Sequence, residues 1–262
     1  MKFAFMSFST PALNLAEMVR VAERYGYDGL EPRLDANHAH GIEVAADAAT
    51  RARFRRQMQA GSVRLAALAT SLRFADPATC PQAIAQGHER LDLAGDLAAP
   101  ILRVFGGPIP AGLTREQAVA DVAAALRALA DHAAERGVTL CLETHDDWCD
   151  PADVARVMEA VRHPAVGVNW DIMHPVRRKK ATMRAAFDRL QPWIRHVHIH
   201  DGIGEPVQFV PIGQGEIDHR TALECLRAMP YDGYLSGEWI NWSAYDEHLP
   251  REIATLRAVG RG

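Results

Sequence analysis

The chain has 262 residues, 48% of them hydrophobic and 24% charged, with a formal net charge of -4. These values match an ordinary globular protein long enough to bury a large core, and they exclude a disordered or fibrous chain. The acidic balance argues against a surface built to neutralise a nucleic-acid backbone, which takes clustered Lys and Arg.

Residues 2–8 read as a strand, Thr10-Pro11 as a helix start, and 13–24 as an amphipathic helix with Leu15, Met18, Val19 and Ala22 on its apolar side. Gly26 ends that helix, and residues 28–31 form a brief strand closed by Glu31. A polar loop with His38 and His40 leads to a helix over 44–60, then a strand over 63–70 whose exit carries Ser71 and Arg73. The pattern repeats with a helix over 81–97, a strand over 101–105, the loop Gly106-Gly107-Pro108, and an alanine-rich helix opened by a Thr114–Gln117 capping box and running to Arg136. The apolar run 138–142 stops abruptly at Glu143. Asp150-Pro151 caps a helix over 152–162, and the strand 166–170 ends in Asp171. A helix over 182–190 precedes the strand 194–199, which carries His198, and a glycine-rich loop follows with Gly213 and Gly215. Asp218 caps a helix to Met229, the strand 232–237 ends in Glu238, and 245–259 is the final helix.

Eight strands, each followed by a helix, predict an α/β chain folded as one (β/α)8 TIM barrel over residues 1–262. An open doubly wound sheet is the alternative, but no GxGxxG turn follows the first strand. The four cysteines, Cys80, Cys141, Cys149 and Cys225, show no CxxC spacing, so neither a zinc ribbon nor a disulfide framework is indicated. The first apolar run, broken by Ser7, Ser9, Thr10 and Pro11, reads as too short and polar for a signal peptide's core, and no stretch of 18 or more apolar residues is present. A cytoplasmic protein without membrane or nucleic-acid partners is the expectation. The basic run Arg177-Arg178-Lys179-Lys180 reads as a solvated loop or helix turn, with a patch for an anionic partner as the other reading.

Glu143, Asp171, His198 and Glu238 close four successive predicted strands, so a barrel places them side by side on one rim. Any one of them alone is as readily a helix cap or a loop ion pair. Converging carboxylates without basic partners repel one another, and a divalent cation removes that penalty. Oxygen-rich ligation with one imidazole suits Mn²⁺, Mg²⁺, Co²⁺ or Zn²⁺.

The motifs Tyr27-Asp28-Gly29-Leu30-Glu31, Leu142-Glu143-Thr144-His145, Asp171-Ile172-Met173-His174, His196 to Asp201, Gly213 to Asp218 and Ser236-Gly237-Glu238 occur in this order along the chain. In them the sequence resembles the xylose isomerase-like TIM-barrel superfamily, which holds sugar isomerases and epimerases and also endonuclease IV. The resemblance implies one divalent metal bound by Glu143, Asp171, His198 and Glu238. It also implies Glu143 and Glu238 as the catalytic bases that exchange protons beside a substrate carbonyl through an enediolate, and His174 as a substrate contact. His145, Glu31, Asp201 and Arg103 complete the candidate substrate-binding set. The implied partner is a small sugar or polyol, phosphorylated or not, and relatives form dimers or tetramers.

Two departures bear on the reaction. Ketose 3-epimerases hold a substrate glutamate six residues after the first metal ligand and an arginine six after the metal histidine, where this chain has Cys149 and Gly204. A metal-dependent dehydratase of a cyclic keto-polyol, of the inosose or 3-dehydroshikimate type, is therefore the alternative enzyme, and a non-catalytic sugar-binding barrel the alternative outside enzymes. An AP endonuclease is disfavoured because the extra histidines that endonuclease IV carries are missing at Thr70-Ser71, at 105–107 and in the loop 202–211.

Among the remaining polar residues, Glu31 is expected either to hold a substrate hydroxyl or to pair with Arg33 or Arg103. His145 is expected at the rim, touching substrate or stacking there. His196 and His200 share a face with His198, the first deeper and the second nearer the loop, with Asp201 orienting an imidazole. Trp170 should face the helices, Trp239 and Trp242 should pack a loop or wall the pocket, and His38 and His40 belong to a lid or to a solvated loop. The Gly213–Gly215 segment reads as a tight turn, with a phosphate cradle as the other option.

Overall fold

A computed structural model describes residues 1–260, so the last two residues of the expected 1–262 span lie outside the described residues. Short apolar segments become parallel strands and the amphipathic segments between them become the outer helices. The order is β1 (Lys2–Met6), α1 (Leu15–Tyr25), β2 (Gly29–Glu31), α2 (Ala48–Ala60), β3 (Arg64–Leu65), β4 (Leu68–Arg73), α3 (Cys80–Leu97), β5 (Ile101–Phe105), α4 (Arg115–Glu135) and β6 (Thr139–Glu143). It continues with α5 (Pro151–Val161), β7 (Val166–Asp171), α6 (Met173–Arg177), α7 (Met183–Leu190), β8 (Ile194–Ile199), a hairpin of β9 (Gly202–Ile203) and β10 (Gln208–Phe209), α8 (His219–Ala228), β11 (Tyr234–Gly237) and α9 (Tyr245–Val259).

Nine strands pair in the order β3-β2-β1-β11-β8-β7-β6-β5-β4. The third predicted strand is in fact two, because β3 pairs with β2 and β4 with β5, while Ala66 and Ala67 lie between them. A parallel bridge between Arg33 and Ala69 joins the two ends and closes the ring, so β3 and β4 act as one stave of an eight-stave barrel.

Several boundaries move for local reasons. Strand β1 stops at Met6 because Ser7–Ser9 turns into a 3-10 helix, and the Ser7 hydroxyl accepts from the Arg33 N–H at 2.8 Å. Helix α1 starts at Leu15, not at Thr10-Pro11, because Asn14 and Glu17 form a reciprocal capping box. Its end is as expected: Gly26 takes a left-handed φ of +81°, which glycine adopts without steric cost. Asp47 caps α2 at Ala48, four residues later than the predicted start. The caps at Thr114, Asp150 and Asp218 occur where the sequence puts them.

Strand alternation sorts the barrel into two environments. Leu102, Val104, Leu140, Leu142, Val168, Trp170, Val197 and Ile199 belong to the continuous core between sheet and helices. Trp170 packs on Phe187 of α7 as expected, with ring centroids 5.9 Å apart. Each such side chain stabilises the fold by about 1.5–3 kcal/mol through removal of apolar area from water. The opposite faces of the same strands point into the barrel, where Ala67, Ile101 and Cys141 form a small separate apolar cluster and the polar residues take the remaining levels. No helix among the described residues is long and apolar enough to cross a membrane.

Candidate metal centre

Glu143 ends β6, Asp171 ends β7, His198 lies on β8, and Glu238 follows β11, so four neighbouring staves each contribute one side chain. Each of the four offers one ligand atom, and these atoms all lie within 4.8 Å of one another. The Nδ1 of His198 is 2.6 Å from Glu143 Oε1 and 3.1 Å from Glu238 Oε2. On its other side, His198 Nε2 meets Glu31 Oε1 at 3.0 Å, and the second Glu31 oxygen meets His196 Nε2 at 2.8 Å. Glu31 thus departs from the expected ion pair. It does not pair with Arg33 or Arg103, and it holds the two imidazoles in place from beneath.

Were His198 to hold a metal through Nδ1, Glu31 would orient it through the opposite ring nitrogen. The Glu31 carboxyl is raised by burial, but the charges and hydrogen bonds of His198 and His196 outweigh that and hold it well below the usual carboxylate range. Burial lowers His198, yet Glu31, Glu143 and Glu238 lift it well above an ordinary imidazole. Glu238 is raised by burial and brought down to about 2 chiefly by His198. A fully buried site that draws positive charge to His198 Nδ1, and leaves Glu143 Oε2 buried without a hydrogen-bond partner, has a donor set that fits a divalent cation.

Asp171 is fixed from three directions. Its Oδ1 accepts from the N–H groups of Met173 and His174 at 2.8 and 3.2 Å, and its Oδ2 meets His200 Nε2 at 2.9 Å. Burial opposes ionisation there, and His200, His174 and the hydrogen bond from His200 more than reverse it. His200 also donates from Nδ1 to the Glu238 carbonyl at 3.1 Å, so Asp171 and Glu238 orient it, not Asp201.

Arg103 is buried inside the barrel, with Nε 3.4 Å from Glu143 Oε2, Nη1 donating to the Thr70 carbonyl at 2.8 Å, and its guanidinium 4.0 Å over the Phe105 ring. His145 lies at the rim with its Nδ1 2.9 Å from Asp146 Oδ1, edge-on to His174 at 4.3 Å between centroids and 4.9 Å from Phe105. Burial lowers His145, but the Asp146 hydrogen bond and the charges of Glu143, Asp146 and Glu238 raise it to about 8.

Asp201 sits outside this group. Its two oxygens accept the N–H groups of Gly202, Gly213, Gly215 and Ile217 at 2.9 to 3.2 Å. The one imidazole it lies beside is that of His219, 3.8 Å from Asp201 Oδ2, and none of the candidate ligand histidines. The same bonds close the phosphate option for the glycine turn, whose N–H groups already face a carboxylate. Trp239 is buried against Trp242 and His248, and Trp242 stacks under Arg251, so both pack the loop. His38 pairs with the Ser7 hydroxyl at 2.8 Å, and His40 is buried between the Arg33 carbonyl and the Ile42 N–H. Arg177 of the basic run is not free in solvent, since it ties the hairpin through Gly204 O, Glu205 and Glu216.

A ring of residues lies one level above the candidate ligands; of these the sequence reading has His200 in place and misses Phe105 and Arg33. Phe105 lies two residues after Arg103, His200 two after His198, and Arg33 two after Glu31, so period-two counting beyond each strand end is the signal that finds them.

Residues 19–259 match the family model described as xylose isomerase-like TIM barrel. The chain belongs to that family. Among solved structures, this xylose isomerase-like barrel is similar to the probable 3-DHS dehydratase AsbF of Bacillus anthracis, with 20% identity, a TM-score of 0.83, and coverage of 98% of this chain and 99% of that one. It is similar to an L-ribulose 3-epimerase at 19% identity and a TM-score of 0.82, covering 99% of this chain and 94% of that one. It is similar also to the IOLI protein solved with a bound zinc atom, at 19% identity and a TM-score of 0.80, covering 99% and 96%. At these identities the likeness is one of fold. No curated protein matches the sequence.

Proposed function

We propose that this barrel is a divalent-metal-dependent isomerase or epimerase of a sugar or related polyol, moving a proton at the carbon beside a carbonyl. One observation carries the reading: two buried glutamates, Glu143 and Glu238, reach the same His198 nitrogen from the two ends of the ligand set. A divalent ion held by Glu143, Asp171, His198 and Glu238 would polarise a substrate carbonyl and acidify the C–H beside it. Glu143 Oε2, without a hydrogen-bond partner, is the atom available to take that proton, and Arg103 Nε lies beside it at 3.4 Å. Glu238, ionised at neutral pH, serves from the other end. Removal by one glutamate and return by the other inverts the carbon; return by one glutamate to the neighbouring carbon interconverts aldose and ketose. His174, edge-on to His145 at the rim, is placed to contact a substrate hydroxyl. The family match and the neighbouring epimerase fold support this reading.

A specific observation favours a second reaction on the same residues. The Cys149 thiol is buried and donates to the Asp146 carbonyl at 3.0 Å, and Gly204 lies in the hairpin with a φ of +71°. Neither supplies the substrate contact that 3-epimerases have at those positions. In the dehydratase reading a glutamate takes the proton beside the carbonyl, the electron pair forms a C=C bond, and the β-hydroxyl leaves with a proton as water.

Proton NMR in D₂O on Mn²⁺-, Co²⁺- or Zn²⁺-supplemented protein with a panel of ketoses and cyclic keto-polyols tests both readings. Epimerisation exchanges the C–H for deuterium with retention of every hydroxyl, whereas dehydration produces an alkene proton. Absence of exchange and of alkene across the panel, in protein shown to bind metal, sinks both.

A further inference from the structure

The alternation that lines up the ligands also builds a tier above them, and that tier is charged on one side. Glu31 points into the barrel, and two residues on, past Pro32, Arg33 is still extended enough to bridge to Ala69 of β4. Its side chain therefore leaves the backbone on the Glu31 side, one level nearer the mouth.

Arg33 is held firmly. The Ser7 hydroxyl accepts its backbone N–H, its Nη1 donates to the Leu34 carbonyl and, at 3.5 Å, to the Ala69 carbonyl, and its Nη2 donates to Ser71 Oγ at 2.6 Å. A guanidinium has five N–H donors. These bonds leave Nε–H and one Nη2–H free to donate to an oxyanion. Among the described residues no carboxylate comes within the 4.0 Å of an ion pair with Arg33. The charges of Asp35, Glu238 and Glu143 act on it at longer range, opposed by Arg103. A fixed, half-buried cation with two unused donors and no ion-pair partner needs a reason, and an anionic ligand supplies one.

We propose that Arg33, with Ser71 beside it, is an oxyanion subsite at the barrel mouth that selects substrates bearing a carboxylate or phosphate remote from the reacting carbonyl. The inference rests on the proposed role of the ligand set below it. It narrows the substrate from neutral sugars to polyol acids or sugar phosphates.

The test uses full-length, Mn²⁺-loaded protein and three probes with one carbon skeleton: D-sorbitol, D-gluconate and D-sorbitol 6-phosphate, each titrated by calorimetry. At least one anionic probe should bind about tenfold or more tighter than sorbitol, as expected for a charge-assisted contact. The stronger of the two identifies carboxylate or phosphate. Arg33→Met should erase the preference, Arg33→Lys should keep part of it as a point charge, and Mn²⁺ affinity should stay within about twofold in both. Should Arg33→Met not fold, the ¹⁵Nε–H resonance of Arg33 in the parent protein gives the same answer by shifting with the anionic probe and not with sorbitol. Equal binding of acid, phosphate and neutral polyol, or a preference that survives Arg33→Met, overturns the proposal. Failure of the parent protein to bind Mn²⁺ would instead remove the metal reading, and the anion preference measured on the same metal-free protein would still decide for or against Arg33.

Discussion

Glu31→Gln tests the arrangement beneath the ligand set without touching a ligand. The glutamate is fully buried and its two oxygens meet Nε2 of His198 and of His196 at 3.0 and 2.8 Å. Glutamine keeps the shape but has one acceptor oxygen, so its NH₂ group must face one of two imidazole N–H groups. One hydrogen bond to a charged group is lost, worth about 1.5–3 kcal/mol, and His198 loses the carboxylate that fixes its tautomer and orientation. The metal dissociation constant should rise by about 10- to 100-fold, or about 1.4–2.7 kcal/mol. Competition of stripped protein against a fluorescent chelator for Mn²⁺ or Zn²⁺ measures it. A denaturant melt in EDTA separates that effect from loss of fold. If Glu31→Gln binds either ion as the parent does while remaining folded, Glu31 does not position His198 for a metal and the reasoning fails.

Other substitutions have equally definite outcomes. Asp201→Asn leaves four N–H donors with half the acceptors and no charge, and should cost about 2–3 kcal/mol in denaturant melts while opening the segment 202–217 to proteolysis. Gly106→Ala puts a methyl group 2.2 Å from the Trp148 indole, whose N–H donates to the Gly107 carbonyl, so stability should fall by about 1–3 kcal/mol with a change in tryptophan fluorescence. Glu143→Gln should slow solvent deuterium exchange into substrate by about 10²- to 10⁴-fold, read by NMR against unchanged folding. Burial, reinforced by the neighbouring His38, lowers His40 to about 4 even though its bond to the Arg33 carbonyl favours the charged form. The unfolded chain therefore binds the extra proton more readily. Its contribution, about 3 kcal/mol, is complete above pH 6.5 and lost as pH falls toward 4. His40→Asn should flatten that part of the stability profile, and an unchanged slope in urea melts would refute the assignment.

The eight staves and the convergence of Glu143, Asp171, His198 and Glu238 were legible because each strand is a short apolar run stopped by a charged or polar residue, as at Glu143 and Asp171, and neighbouring strand ends must meet in a closed barrel. What was not legible depends on backbone partners that no side-chain pattern displays. Asp201 looks like a site residue in the sequence because its contacts are loop N–H groups, which every residue has. The division of the third stave at Ala66-Ala67 follows from closure, a property of the whole ring, and the role of Glu31 follows from two histidines far along the chain. Arg33 was hidden for a simpler reason: it lies past a proline, where strand counting ordinarily stops.

The clasp at Asp201 has a consequence for redesign. One interior side chain fastens Gly202 at the near end of the strap and Gly213, Gly215 and Ile217 at the far end, so the length between Gly202 and Gly213 is anchored from outside itself. Foreign recognition loops grafted between these two anchors inherit a ready-made base, and the barrel beneath them keeps its shape.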